Sequence, residues 1–320
     1  MDKILEKFSN IKTDYSLAPL TTFKIGGPAK YFLETDDENY LQRVIKFCAQ
    51  NDINFKVIGG GSNLLISDRG YNGLVIKFIN QEINCQDNVF ILGAGIILMN
   101  FVNFSLEKGF AGQEFLAGIP GTIGGAIYGN AGAYGQDMGT IIESVKVLNN
   151  NYEFESLKKS QCHFQYRKSI FSNNHNIILS AKLVLAQGDI QASQELVQQR
   201  IINRAQGHPL NMPNAGSWFK NIDLKNEIKE KIKEMNLATE EEMSRFEKYQ
   251  KVPAAFLIEK AGLKGHQLGG AQMSEKHANF LVNKKNATAK DIVKLSDYIK
   301  EKIKEKYGVE LTEEVQYVGF

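Results

Sequence analysis

The chain has 320 residues, 43% of them hydrophobic and 23% charged, enough for two or three domains with a sizeable core. Its net charge of +2 comes from scattered basic residues, which excludes the basic stripe of a nucleic-acid binder. Cys48, Cys85 and Cys162 are far apart, odd in number and without metal spacing, so they read as free thiols of a reducing compartment.

The opening MDKILEKFSN carries no apolar run long enough for a signal peptide, and no later segment approaches the ~20 apolar residues of a membrane span. The expected location is the cytoplasm. YFLET (31–35) reads as a strand, and Leu41, Val44, Ile45 and Cys48 fall at helical spacing over 38–50. FKVIGGG resumes a strand and ends in three glycines, which makes the start a β-α-β unit. GLVIKF (73–78) and NVFILGAG (88–95) continue a β-rich region, followed by a helix over 97–108. After a glycine-rich stretch, 118–135, come two strands around 142–156, a strand over 176–187 and a helix over 190–205. Near Gly207 the composition shifts: GHPLNMPNAGSWF carries two of the six prolines and reads as loop, so a domain boundary is placed there.

Beyond it, residues 224–249 are rich in lysine and glutamate, with Ile228, Ile232 and Met235 on one face of a helix that reads as a solvated surface addition. AAFLIEKAG (254–262) is a helix ended by glycine, and ANFLVN (278–283) a strand. Thr288 and Asp291 form a capping box for a helix that stops at Gly308. VELTEEVQYV (309–318) is the closing strand.

Two uncharged glycine clusters carry the first functional signal, GGGSN (59–63) and GIPGTIGGA (118–126). Successive backbone N–H groups without side chains form concave anion sites suited to a pyrophosphate. The Rossmann dinucleotide fingerprint is excluded, because its nearest match, at Gly93, has Leu98 where the third glycine belongs. No Gly-Lys-Ser/Thr of an ATPase phosphate loop occurs. A lone cluster would be a tight turn, whereas two clusters, each after an apolar strand, point to a cofactor. Their spacing leaves the cofactor unidentified.

Taken in order, TTFKIGGPA (21–29), GGGSN, GIPGTIGGA, NAGAYG (130–135), YRKS (166–169), AGSWFKN (215–221), GLKG (262–265), HANFLVN (277–283) and EEV (313–315) resemble the UDP-N-acetylenolpyruvoylglucosamine reductase family. These are flavoproteins that make UDP-N-acetylmuramate for bacterial cell walls. The resemblance covers almost the whole chain. GGGSN recurs across the wider flavin-binding superfamily, whereas AGSWFKN with YRKS upstream and a terminal EEV is much more specific. The form GGAIYGNAGAYG and the modest length resemble the type II branch.

The resemblance implies an α+β fold: a vanillyl-alcohol-oxidase-type FAD-binding domain of two α/β subdomains over 1–206, then an α+β substrate-binding domain over 207–320. The β-α-β subdomain would span about 15–80 and the second subdomain about 81–206. It also implies non-covalent FAD, NADPH as hydride donor, UDP-N-acetylglucosamine enolpyruvate as substrate, and a monomer without metal, nucleic-acid or membrane partners. The chain departs from the family in two places: Glu314-Val315-Gln316 replaces the usual Glu-Val-Arg, and the stretch 222–250 is extended.

Carried over by motif, the FAD pyrophosphate and ribose fall to Gly59, Gly60, Gly61, Ser62 and Asn63, and to Gly118, Ile119, Pro120, Gly121, Thr122, Gly124, Gly125 and Ala126. Hydride addition beside a carboxylate needs a cationic group for the developing charge, an acid for carbon C2, and exclusion of water. Arg167 matches the family arginine, whose planar guanidinium grips a carboxylate bidentately. Ser217 matches the proton donor and Glu314 the C-terminal glutamate. Tyr166, Lys220, Asn221 and Gln267 match substrate-binding positions. Taken alone, Arg167 reads as an ion-pair partner, Ser217 as a turn residue and Glu314 as an exposed strand residue. Strand alternation lets at most one of Glu313 and Glu314 face a pocket.

Two rival readings stand beside the reductase. One is a non-covalent flavin oxidase on the same fold; covalent oxidases often attach FAD through histidine, and the first histidine here is His163. The other is a non-catalytic nucleotide-binding module, in which Arg167, Ser217 and Glu314 would have no reason to persist together.

Overall fold

The computed structural model describes residues 3–320. Two compact units emerge. The first holds the N-terminal residues to Ser16, Pro28–Gly61 and Tyr71–Gln206; the second holds Leu17–Gly27, Ser62–Gly70 and Gly207–Phe320.

The first unit opens with the β-α-β pattern. Pro28–Thr35 and Phe55–Ile58 both pair in parallel with the central strand Tyr71–Phe78, whose Leu74, Val75 and Ile76 are buried in succession, as a strand covered on both faces requires. The crossover helix Glu38–Gln50 starts where the Asp37 side chain accepts from the N–H groups of Asn39 (2.8 Å) and Tyr40 (3.0 Å). Such a cap contributes about 1 kcal/mol. Its Leu41, Val44, Ile45 and Cys48 are fully buried, and burial pushes the Cys48 thiol up to about 12. An antiparallel edge strand, Lys12–Ser16, escaped the sequence reading because KTDYS has no apolar alternation; Tyr15 stacks on Phe32 with centroids 4.0 Å apart.

A second sheet of this unit is antiparallel throughout, in the order Phe154–Lys158, Ile142–Leu148, Ile177–Val184, Val89–Gly93, Ile83–Gln86. The helices Leu98–Glu107 and Ile190–Gly207 accompany it. The short helix Ile123–Tyr128 lies inside the glycine-rich stretch.

In the second unit the helix Ala289–Tyr307 carries the core stripe Ile292, Leu295, Ile299 and Ile303, all fully buried. Its capping box is formed as expected, and the Asp68 carboxylate also accepts from the N–H groups of Ala289 and Lys290. Gly308 ends the helix with φ 64°.

Three expectations are corrected here. Residues 224–249 form two helices, Asn226–Glu234 and Glu240–Tyr249, split where Asn236 turns left-handed and Thr239 starts a new capping box with Glu242. They are not a solvated addition, because Ile232 and Phe246 are 2% and 1% exposed and belong to the core of this unit, whereas Met235 is exposed. The strand expected over 278–283 is only Leu281–Asn283, since Phe280 donates to the His277 carbonyl in a turn. The closing strand is likewise only Gln316–Val318, paired in parallel with Leu64–Ile66. Among the described residues no helix is long and apolar enough to cross a membrane.

Candidate active site

The two glycine clusters meet in the first unit. A Cβ on Gly59 would lie 2.6 Å from Thr122 Oγ1, and one on Gly60 would lie 3.1 Å from Gly121 Cα, so the clusters pack on each other through missing side chains. Gly121 has φ 123°, a conformation closed to other residues without strain. The amides of Gly60, Gly61, Gly121 and Thr122 donate to no acceptor among the described residues, although Gly61 and Thr122 are buried. Buried N–H groups without acceptors are rare, and a row of them suits a pyrophosphate. The residues therefore fit the dinucleotide that the sequence implies. Gly124 packs closely on the chain itself. Its N–H donates to the Ala94 carbonyl at 2.9 Å, and a Cβ there would lie 2.9 Å from Ala94 Cβ. It seats the helix Ile123–Tyr128 on the neighbouring strand segment. Gly125 is open, and its N–H donates to Thr122 Oγ1 at 3.4 Å. Gly118 has φ 70°, Ile119 N–H donates to the Leu116 carbonyl, Pro120 is exposed and Ala126 is buried.

The glycine-rich stretch also holds Tyr166 and Arg167. These form a two-residue turn closed by reciprocal bonds between Gln165 and Lys168, with Arg167 at φ 52°. One flank is tied by Asn130, whose side-chain amide donates to the Gln165 carbonyl at 2.8 Å. Ser169 ties the other by donating to the Tyr128 carbonyl at 2.6 Å. Arg167 Nη1 donates to the Gly132 carbonyl at 3.0 Å, and its guanidinium lies 5.5 Å from the Tyr166 ring centre. Sequence reasoning missed Asn130 and Ser169 as supports of this turn.

It also missed two arginines one helical turn apart, Arg200 and Arg204. Arg204 Nε donates to the Ala117 carbonyl at 3.0 Å, and burial lowers its pKa. Arg200 is 9% exposed, sits 4.5 Å from the Tyr134 ring centre, and its Nε and Nη1 have no partner among the described residues. A buried guanidinium without a carboxylate favours an arriving anion. The i, i+4 spacing was the available signal.

In the second unit Ser217 is held from both sides. Gly216, at φ 79°, donates to Asn214 Oδ1, while Asn214 Nδ2 bonds the carbonyls of Pro209 and Met212, and Thr22 Oγ1 donates to the Asn214 carbonyl at 2.7 Å. On the other side Trp218 N–H donates to the Asn279 carbonyl, and the Asn279 side chain bonds both the N–H and the carbonyl of Phe219. The Ser217 hydroxyl itself, half-buried, bonds no described residue. The flanking backbone carries Glu314: its N–H donates to the Trp218 carbonyl at 2.8 Å, and Lys220 N–H donates to the Thr312 carbonyl at 2.8 Å. Asn63 completes the clamp, with Nδ2 on the Glu314 carbonyl at 3.2 Å and its own carbonyl accepting from Gln316 N–H at 3.0 Å.

Asn63, Ser62 beside it, Ser217, Lys220 and Glu314 are thus drawn to the bridge between Phe219 and Glu313 in the second unit. Glu313 is engaged elsewhere, by Ser296 and Lys300. Asn221 Oδ1 accepts from Ala254 N–H at 3.3 Å, at the start of the helix Ala254–Lys260. Gln267 lies apart, exposed on a three-stranded sheet and bonded to the Gly269 carbonyl.

The chain matches known proteins along nearly its whole length. Residues 29–155 match the FAD binding domain family, and residues 208–318 match the C-terminal domain of UDP-N-acetylenolpyruvoylglucosamine reductase. The UDP-N-acetylenolpyruvoylglucosamine reductase of Clostridium novyi is 36% identical over 320 residues, covering 100% of this chain and 95% of that protein. That of Caldanaerobacter subterraneus is 37% identical, covering 93% and 90%. The crystal structure of the Thermus caldophilus reductase superposes with a TM-score of 0.75 at 27% identity, covering 96% of this chain and 98% of that one.

Proposed function

The chain belongs to the UDP-N-acetylenolpyruvoylglucosamine reductase family, and from that membership we propose that it reduces UDP-N-acetylglucosamine enolpyruvate to UDP-N-acetylmuramate at the expense of NADPH. It does so in the cytoplasm, as a step of peptidoglycan precursor synthesis. Bound FAD would supply the hydride chemistry between NADPH and carbon C3 of the enolpyruvyl group. The amides of Gly60, Gly61, Gly121 and Thr122 would hold its pyrophosphate, whose oxygens accept what no described residue accepts. Family membership sets the oxidase reading aside.

Each proposed role follows from the chemistry of the group. Arg167, on a turn braced by Asn130 and Ser169, grips the enolpyruvyl carboxylate and offsets the charge that develops there. Arg200 and Arg204 offer positive charge to the phosphates of the nucleotide substrates. Ser217 gives its proton to C2, and Glu314 orients the same end of the substrate. The observation that carries this reading is the Ser217 hydroxyl, engaged by no described residue and held between anchored flanks beside the bridge that fixes Glu314. A hydroxyl committed elsewhere could not serve as a positioned acid.

The test is anaerobic. NADPH should bleach the yellow protein under nitrogen, and the enolpyruvyl nucleotide should then restore the colour within seconds. Restoration by oxygen alone at a comparable rate, with no response to the nucleotide, would contradict the assignment.

A further inference from the structure

Trp218 is the sole tryptophan of the chain, fully buried, and follows Ser217 directly. Its indole N–H donates to Ser296 Oγ at 2.8 Å, and the fully buried Ser296 hydroxyl donates to Glu313 Oε1 at 2.6 Å. Lys300 Nζ lies 3.1 Å from that oxygen and 2.8 Å from Asp297 Oδ1. A hydroxyl has one proton to give. Ser296 gives it to the Glu313 carboxylate, which also accepts from Lys300, and so offers the indole a lone pair of fixed direction. The relay closes on itself, because Glu314, next to Glu313, donates its N–H to the Trp218 carbonyl at 2.8 Å. One ring of bonds therefore joins the neighbours of Ser217 and of Glu314.

A phenylalanine would fill much of the space of Trp218 without any of these partners. A buried indole and hydroxyl in series with a half-buried carboxylate stabilise only when every member is satisfied, and then they select one geometry. We propose that Glu313 and Ser296 are positioning residues that act through Trp218 to fix the Ser217 hydroxyl against Glu314 during proton delivery. The proposal rests on the roles assigned above to Ser217 and Glu314.

Ser296→Ala, Ser296→Thr, Trp218→Phe and the double variant Ser296→Ala/Trp218→Phe test it in rapid-mixing experiments. Bleaching by NADPH should stay within about twofold of wild type. Reoxidation by the enolpyruvyl nucleotide should slow roughly ten- to a hundredfold in Ser296→Ala, the scale of an ångström-level misplacement. Ser296→Thr, which keeps the hydroxyl, should restore most of that rate. Because the two residues act in one relay, the double variant should be no slower than the worse single. A second readout uses flavin-free protein, in which Ser296→Ala should raise acrylamide quenching of the Trp218 emission and Ser296→Thr should not. Reoxidation of Ser296→Ala at the wild-type rate, equal slowing of both phases, or failure of the threonine variant to rescue overturns the relay. Wild-type protein that bleaches but ignores the nucleotide overturns the reductase reading instead, and the quenching comparison still judges the relay by itself. Should Ser296→Ala not fold, Trp218→Phe alone decides between the same outcomes.

Discussion

Asn279 shows what a single side chain contributes. It is 3% exposed and satisfies the N–H and the carbonyl of Phe219, with its own carbonyl taking the N–H of Trp218. Asn279→Ala orphans two buried backbone groups and should cost about 2–4 kcal/mol in denaturant unfolding; a loss below about 0.5 kcal/mol would mean water replaces the amide. His277, two residues earlier, titrates against the fold. Burial pushes its pKa down, Lys264 adds to this and Glu259 opposes it, while Nδ1 accepts from Asn279 N–H. A histidine depressed in the folded state contributes stability that is present above its unfolded pKa, about 6.5, and lost as pH falls below it. Wild type should therefore lose more stability between pH 7 and pH 5 than His277→Gln, and parallel slopes would refute this. Gly124→Val should lower the melting temperature before it touches flavin affinity, because its missing Cβ faces Ala94. The glycines were legible as a need for close approach; what approaches was not, since composition does not say whether ligand or chain fills the gap. Asn63 likewise read as cofactor loop, but its side chain holds the Glu314 carbonyl, a pairing across 251 positions that no local signal carries.

Elements were legible where pattern and caps agreed. The helix Glu38–Gln50 has both, as does Ala289–Tyr307, with its threonine box and terminal glycine. The pair Asn226–Glu234 and Glu240–Tyr249 shows the limit. Lysine and glutamate dominate both, and the few apolar residues looked incidental, yet Phe246 packs 5.0 Å from Phe256 in the core. Phe246→Ala should cost about 3–5 kcal/mol, and deletion of 224–249 should leave the second unit unfolded. A deletion variant with native melting behaviour would return these helices to the status of an addition. The closing strand was read too long because VELT and EVQY each alternate, but among the described residues its first half is held by the single bridge between Glu313 and Phe219 and by the side-chain bonds of Glu310 and Glu313. Side-chain tethering leaves no period-two signature.

For the whole chain, composition excluded classes and motif order identified the family, whereas the arrangement of supports around the proposed site came only from the fold. Gly207 is marked by a shift in composition; nothing local marks Leu17–Gly27 or Ser62–Gly70 as belonging to the same unit as the C-terminal stretch, because that depends on pairings such as Leu64–Ile66 with Gln316–Val318. The most direct test of the account is Ser217→Ala in rapid mixing. Hydride transfer from NADPH needs no proton on carbon, so bleaching should proceed almost unchanged. Reoxidation by the enolpyruvyl nucleotide needs the C2 proton, and a positioned acid is worth roughly 10²- to 10⁴-fold. The whole loss, more than about 100-fold, should fall in that second phase. Equal slowing of both phases, or no slowing in either, would contradict it.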